Sequence, residues 1–140
     1  MLVSLRDQIT KDIQKFYEKE QDVVVKCGYF AYQRIVDVQD RSIHIDVLPE
    51  SYESSREARN AWERKYSIRI RIAQRIVARE SSMDTLYRIT SELISAFQNG
   101  YHVLGTVVDG CDWQDVGELQ GDVCINSFLV TFRQCAGMTH

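Results

Sequence analysis

Three residues near the middle of the chain could form a metal-dependent nuclease centre. Asp46 lies in the alternating segment 42–47, and Glu63 and Lys65 stand just before the next alternating segment. In such a centre the carboxylates bind Mg²⁺ and the lysine orients the attacking water. Glu-x-Lys is a common chance pattern in so charged a stretch, so nuclease activity is kept as the alternative from a different functional class.

Other catalytic and binding motifs are missing from the sequence. It contains no G-x-S-x-G nucleophile motif, no G-x-G-x-x-G or Walker A phosphate loop, and no C-x-x-C pair. The acidic run 109–122 lacks the alternating ligands and the final Glu of an EF-hand loop. We therefore expect a protein that is not an enzyme and has no catalytic residue, metal or cofactor. Its four cysteines are expected to be free thiols, which indicates a reducing compartment.

Charge is distributed unevenly along the chain. Residues 56–79 contain eight basic and two acidic residues, whereas residues 109–122 contain five acidic and no basic residues. Opposite patches on one chain can be complementary between copies, and such a head-to-tail contact closes into a ring when the rotation allows. Pairing of the two patches within the chain is the alternative. The contact residues predicted from these patches are Arg69, Arg71, Asp109, Asp112 and Asp115.

Two amphipathic helices are predicted from apolar residues that recur at steps of three and four. The first covers residues 3–18, and its stripe consists of Leu5, Ile9, Ile13, Phe16 and Tyr17. The second begins after Ser81-Ser82 and ends at Asn99-Gly100, with Thr90 as the one polar residue in its stripe.

Strands are predicted in four segments: 22–48 (including Tyr29 to Val38), 66–77, 102–108 and 122–134. The last segment carries apolar residues on both faces, which indicates a central strand. Pro49 is expected to end its strand, because proline cannot donate to a central ladder.

The polar segments 50–64 and 109–121 are predicted as loops, with a short helix from Arg56 to Arg64 in the first. Large aromatic side chains in loops often anchor interfaces. Tyr52, Trp62 and Trp113 are therefore predicted contact residues.

The order of these elements indicates an α+β fold, a mostly antiparallel β-sheet with two amphipathic helices packed on one face. The 140 residues are expected to form a single domain, 1–140. Apolar residues make up 44% and charged residues 26%, which excludes a wholly disordered chain. The net charge of −3 gives no reason to expect polyanion binding by bulk charge. No apolar run is long enough for a signal peptide or a membrane span, so no membrane partner is expected.

The layout of the chain resembles the small tail-terminator and neck proteins of tailed bacteriophages. A leading helix is followed by a strand ending in Val47-Leu48-Pro49-Glu50 and a charged connection into Trp62-Glu63-Arg64-Lys65-Tyr66-Ser67-Ile68-Arg69-Ile70. A second helix follows, and Asn126-Ser127-Phe128-Leu129-Val130-Thr131-Phe132-Arg133 closes the chain. The similarity covers most of the chain and is one of layout and of strand composition. These families have no catalytic signature that could be matched residue by residue.

The resemblance implies a structural role in the virion neck, after assembly in the host cytoplasm. Tail terminators form a hexameric ring that caps the tail tube, stops its polymerisation and joins it to the head. The implied partners are other copies of the chain, the tail tube protein and a head-completion protein, while DNA only passes through the lumen. The alternatives are a head-completion or connector protein of the same neck, the nuclease described above, and a bacterial adaptor domain with a small protein partner.

Overall fold

The computed structural model describes residues 1–27, 42–58, 61–76 and 82–136. In them the chain forms two α-helices and one six-stranded, mostly antiparallel β-sheet, which confirms the predicted α+β class. The helices are α1 (Leu2–Phe16) and α2 (Ser82–Gln98). The strands are β1 (Val23–Cys27), β2 (Ile43–Ala58), β3 (Ala61–Arg75), β4 (His102–Val103), β5 (Thr106–Gln120) and β6 (Val123–Ala136).

The strands lie side by side in the order β1-β2-β3-β6-β5-β4. β1 runs parallel to β2, and every other neighbouring pair is antiparallel. β6 lies between β3 and β5, which confirms the prediction that the last strand is central. The predicted strand from Tyr29 to Val38 lies outside the described residues.

Both helices form where the apolar periodicity predicts them. α1 buries Leu5, Ile9 and Ile13, but Phe16 is 57% exposed, which corrects its predicted place in the buried stripe. α2 ends at Gln98 and is followed by Gly100, whose positive φ of 79° is a conformation that glycine adopts without strain. Neither helix within the described part of the chain has the length and apolarity needed to cross a membrane.

The segment 50–64, predicted as a loop, is the outer half of a long hairpin between β2 and β3. Strand pairing continues out to Ala58 and Ala61, so the predicted short helix is wrong. Pro49 does not end β2, because the pairing register shifts between Pro49 and Ser51 and this irregularity accommodates a residue without an amide hydrogen. We call residues 51–58 and 61–65 the arm. Residues 51–55 are all exposed, so the arm lacks the apolar alternation that reveals a strand in a sequence.

The acidic segment 109–121, also predicted as a loop, lies almost wholly within β5. The strand pairs with β6 along its length, from Val107 with Arg133 to Gln120 with Val123. Its register shifts at three places, one of them between Asp115 and Glu118. These irregularities break the two-residue alternation, and for that reason the sequence does not resemble a strand.

One large cluster of buried apolar side chains joins both helices to the sheet. The helices contribute Leu5, Ile9, Ile13, Tyr17, Leu86, Ile89, Leu93 and Phe97. The central strands contribute mainly Ile68, Ile70, Ile72, Phe128, Val130 and Phe132. The helices also contact each other, because the Tyr17 hydroxyl donates to the Ile89 carbonyl at 3.4 Å and to Glu92 Oε1 at 3.2 Å. Ala73, Val123 and Ile125 form a second, small buried cluster on the other side of the strands.

Candidate functional site

The structure does not bring the three candidate nuclease residues together. Asp46 lies opposite Arg71 in the inner half of the β2–β3 hairpin, whereas Glu63 lies opposite Ser55 in the arm. Asp46 and Ser55 are nine residues apart on one strand, a distance of about 30 Å at the rise of an extended chain. Asp46 is also buried and accepts a hydrogen bond from Arg71 Nη2 at 2.9 Å. These residues therefore cannot hold one metal ion between them.

Across the described ranges, no three His, Cys, Asp or Glu side chains are grouped so that they could hold a metal ion. All four cysteines are free thiols, as expected. Burial, and secondarily Asp112, raises the pKa of Cys111 to about 11, so this thiol is protonated and unreactive near neutral pH.

The basic and acidic segments pair with each other inside the chain. Lys65 Nζ lies 3.7 Å from Asp109 Oδ2, and Arg69 Nη1 lies 3.7 Å from Asp115 Oδ2. A third ion pair joins Arg75 to Asp122. The sheet places β3 two strands from β5, so long basic side chains of β3 reach the acids of β5 over β6. Pairing within the chain, the alternative to a contact between copies, is therefore present at Arg69, Asp109 and Asp115, and their contact between copies stays a prediction.

Two of the arginines predicted as contact residues are held by β2 as well. Arg69 donates from Nε and Nη2 to the two carboxylate oxygens of Glu50, at 2.6 and 2.8 Å. This bidentate hydrogen bonding lowers the pKa of the Glu50 carboxyl. Arg71 is only 8% exposed and pairs with the buried Asp46. Arg71 is thus mostly buried within the single chain, whereas Asp112 is exposed, and the contact role of both stays a prediction.

The three aromatic residues predicted as interface anchors lie on strands and not in loops. Tyr52, in the arm, is 50% exposed, and its ring packs against Tyr66 with centroids 5.0 Å apart. Trp62, on the opposite strand of the arm, is partly exposed, and the Arg64 guanidinium lies 3.5 Å from the centroid of its ring. Trp113 lies on β5 and is 41% exposed. Two separate strand surfaces therefore present large aromatic side chains to solvent.

The described residues line an apolar hollow and a polar one. The apolar one, between α1, α2 and the chain before β4, is closed on one side by a hydrogen bond from the Tyr101 hydroxyl to Asp12 Oδ2 at 2.5 Å. The polar one, on the arm, is lined by Glu53, Ser54, Ser55, Glu63 and Lys65. The ion pair between Lys65 and Glu63, 3.5 Å long, already occupies two of its charged groups.

A buried polar chain connects α2, β6 and β5, and the sequence analysis did not find it. Thr90 and Asn126 are both 0% exposed. Asn126 Nδ2 donates to Thr90 Oγ1 at 3.2 Å, and Asn126 Oδ1 accepts from the Gly117 amide at 2.7 Å. The threonine hydroxyl in turn donates to the Leu86 carbonyl at 2.7 Å. The only signal in the sequence was the polar Thr90 in an otherwise apolar helix stripe.

Comparison with known proteins adds no assignment, because the chain matches no protein-family model and no curated protein. The candidate functional surfaces are therefore the arm with Tyr52 and Trp62, and the β5 strand with Trp113.

Proposed function

We propose that the protein is a structural, non-enzymatic component of a phage virion neck, a tail terminator that assembles into a hexameric ring on the end of the tail tube. The proposal combines the layout resemblance with one observation. The arm is a long hairpin whose described side chains at 51–55 are exposed on both faces, and it holds Tyr52 half in solvent. An exposed strand segment with an aromatic side chain is suited to contact a neighbouring subunit.

The arm also fits the geometry that a ring requires. A closed ring uses a heterologous contact, in which one surface of each subunit meets a different surface of the next. The arm supplies one such surface, and its aromatic residues Tyr52 and Trp62 supply the apolar area that anchors interfaces. The proposed partners are other copies of the chain, the tail tube protein and a head-completion protein, with DNA passing through the lumen.

We further propose that both helices pack on the same face of the sheet, so that the other face is available to line a ring. The hydrogen bonds from the Tyr17 hydroxyl to α2 and the single cluster shared by both helices support this arrangement. The opposite face carries the ion pairs of Arg69 and Arg71. Charged, paired side chains are suited to a surface that DNA passes without binding.

Sedimentation velocity across a concentration series, with negative-stain images of the heaviest species, tests the proposal. The wild-type protein is expected to form a ring of about six subunits with a central hole. Tyr52→Ser is expected to weaken the ring, because it removes an aromatic anchor at an exposed position. Phe16→Ser is the matched control, since Phe16 is 57% exposed against 50% for Tyr52 but lies on α1 and not on the arm. A monomer at every wild-type concentration, or equal weakening by both variants, would contradict the proposal.

A further inference from the structure

β5 presents an open edge along most of its length. On one side it pairs with β6, and on the other it pairs with β4 only through Thr106 and Val107. Within the part of the chain that the structure describes, no strand pairs with that side of β5 from Val108 to Gln120. An unpaired edge exposes backbone donors and acceptors that can bind another extended segment.

The side chains along this edge are sorted by face. Trp113 and Leu119 lie opposite Phe128 and Cys124, on the side of the sheet that carries the main core, yet they are 41% and 62% exposed. On the other side, Asp112 and Glu118 are exposed and lie opposite Leu129 and Ile125. The edge is therefore apolar on one face and acidic on the other.

Contacts with buried residues and with α2 fix the backbone of β5 at Gly117. The Gly117 amide is fixed by the buried Asn126, and Gly117 has a positive φ of 63°. A Cβ at this position would lie 2.7 Å from the Tyr87 hydroxyl, so α2 packs closely over the strand here. Natural edge strands avoid exposed apolar side chains because these promote association. Here Val116 and Leu119 are each more than 60% exposed, which points to a surface that a partner covers.

A second copy of the same edge does not suit this surface. Antiparallel pairing of β5 with β5 would place acidic side chains beside acidic side chains on one face, and like charges directly opposite are destabilising. A complementary strand carries apolar residues beside Trp113 and Leu119, and basic residues beside Asp112 and Glu118.

We infer that the β5 edge binds an extended segment of a partner protein in which apolar and basic residues alternate. Backbone pairing with β5 supplies part of the affinity, and the two faces supply the specificity. The inference rests on the geometry of β5 and not on the proposed ring, so it stands or fails separately from the virion role.

Fluorescence anisotropy with synthetic nine-residue peptides tests the inference on the full chain. The probe is a labelled peptide that alternates Lys and Val. The controls are a peptide of the same composition in which the valines are contiguous, and a peptide that alternates Glu and Val. We expect the alternating basic peptide to bind at least about ten-fold more tightly than either control, and its affinity to fall as salt rises. Equal affinity for the two basic peptides would overturn the inference, because it would show attraction by charge alone.

Variants at exposed positions locate the binding. Leu119→Ser and Glu118→Lys are each expected to weaken binding of the alternating basic peptide, and Tyr52→Ser on the arm is expected to leave it unchanged. Urea denaturation confirms that the variants are folded. Unchanged binding in both β5 variants would overturn the inference. So would dimerisation that Leu119→Ser abolishes, or slow hydrogen exchange at amides 108–120 in the free monomer, since either shows that another segment already covers the edge.

Discussion

The buried chain from Thr90 through Asn126 to Gly117 makes a quantitative prediction for Asn126→Asp. Aspartate has the same shape, so the substitution creates no cavity. In its protonated form it can donate to Thr90 Oγ1 and accept from the Gly117 amide, as the amide does in the wild type. The ionised carboxylate can only accept, and it would face an oxygen whose hydrogen is already donated to Leu86. The buried acid is therefore expected to stay protonated.

The cost follows from proton linkage. An aspartate that is ionised in the unfolded chain, with a pKa of about 3.9, but protonated in the fold destabilises the protein by about 1.4 kcal/mol for each pH unit above that pKa. The expected loss in free energy of unfolding, relative to wild type at the same pH, is about 4 kcal/mol at pH 7 and about 1.5 kcal/mol at pH 5. The loss must grow with pH, because a carboxyl group whose pKa is higher in the folded than in the unfolded chain makes the free energy of unfolding fall as pH rises.

Urea denaturation followed by tryptophan fluorescence measures this loss. With an m-value of about 2 kcal/mol/M, the midpoint is expected to fall by about 2 M at pH 7 and by less than 1 M at pH 5. Asn99→Asp is the matched control, since Asn99 is exposed at the end of α2, and it should cost less than about 1 kcal/mol. A loss at Asn126→Asp below 1 kcal/mol at pH 7, or an equal loss at both pH values, would refute the hydrogen-bond assignment.

Three further predictions concern the core and the sheet. Gly117→Ala should lower the free energy of unfolding by about 1–2 kcal/mol, measured by urea denaturation, because alanine is strained at a positive φ. Burial raises the pKa values of Tyr17 and Tyr101, with further contributions from Glu92 and Asp12 respectively. Stability should therefore fall as pH rises above about 10, and absorbance at 295 nm should show these two phenols ionising only on unfolding. Arg71→Met should cost about 3–5 kcal/mol by thermal denaturation because it leaves the buried Asp46 without this partner, whereas the double substitution with Asp46→Leu should restore most of the loss.

The elements that could be predicted from the sequence are those with one buried and one solvated face. α2 and the inner half of β3 show clear periodicity because Leu86, Leu93, Ile68 and Ile70 all point into the core. The arm and β5 were predicted as loops and not as strands, for two different physical reasons. Residues 51–55 of the arm are all exposed and mostly polar, so they show no buried face, and the register shifts of β5 break its alternation at positions such as Asp115.

The charged residues show a second limit of prediction from sequence. The opposite charges of residues 56–79 and 109–122 are evident from the sequence, but which charges pair with each other depends on the order of the strands in the sheet. Because β6 inserts between β3 and β5, Lys65 and Arg69 reach acids of their own chain. The same register brought Trp113 and Leu119 to one face of an open edge, which no local pattern indicated.

The most direct test of the proposed role is the length of phage tails assembled without the protein. In lysates of the phage with a nonsense allele of the gene, electron microscopy is expected to show tail tubes of uncontrolled length that are not joined to heads. A wild-type copy supplied in trans should restore uniform, joined tails. Tails of normal length that fail to join heads would instead indicate a head-completion protein. Normal virions would contradict a role in the neck altogether.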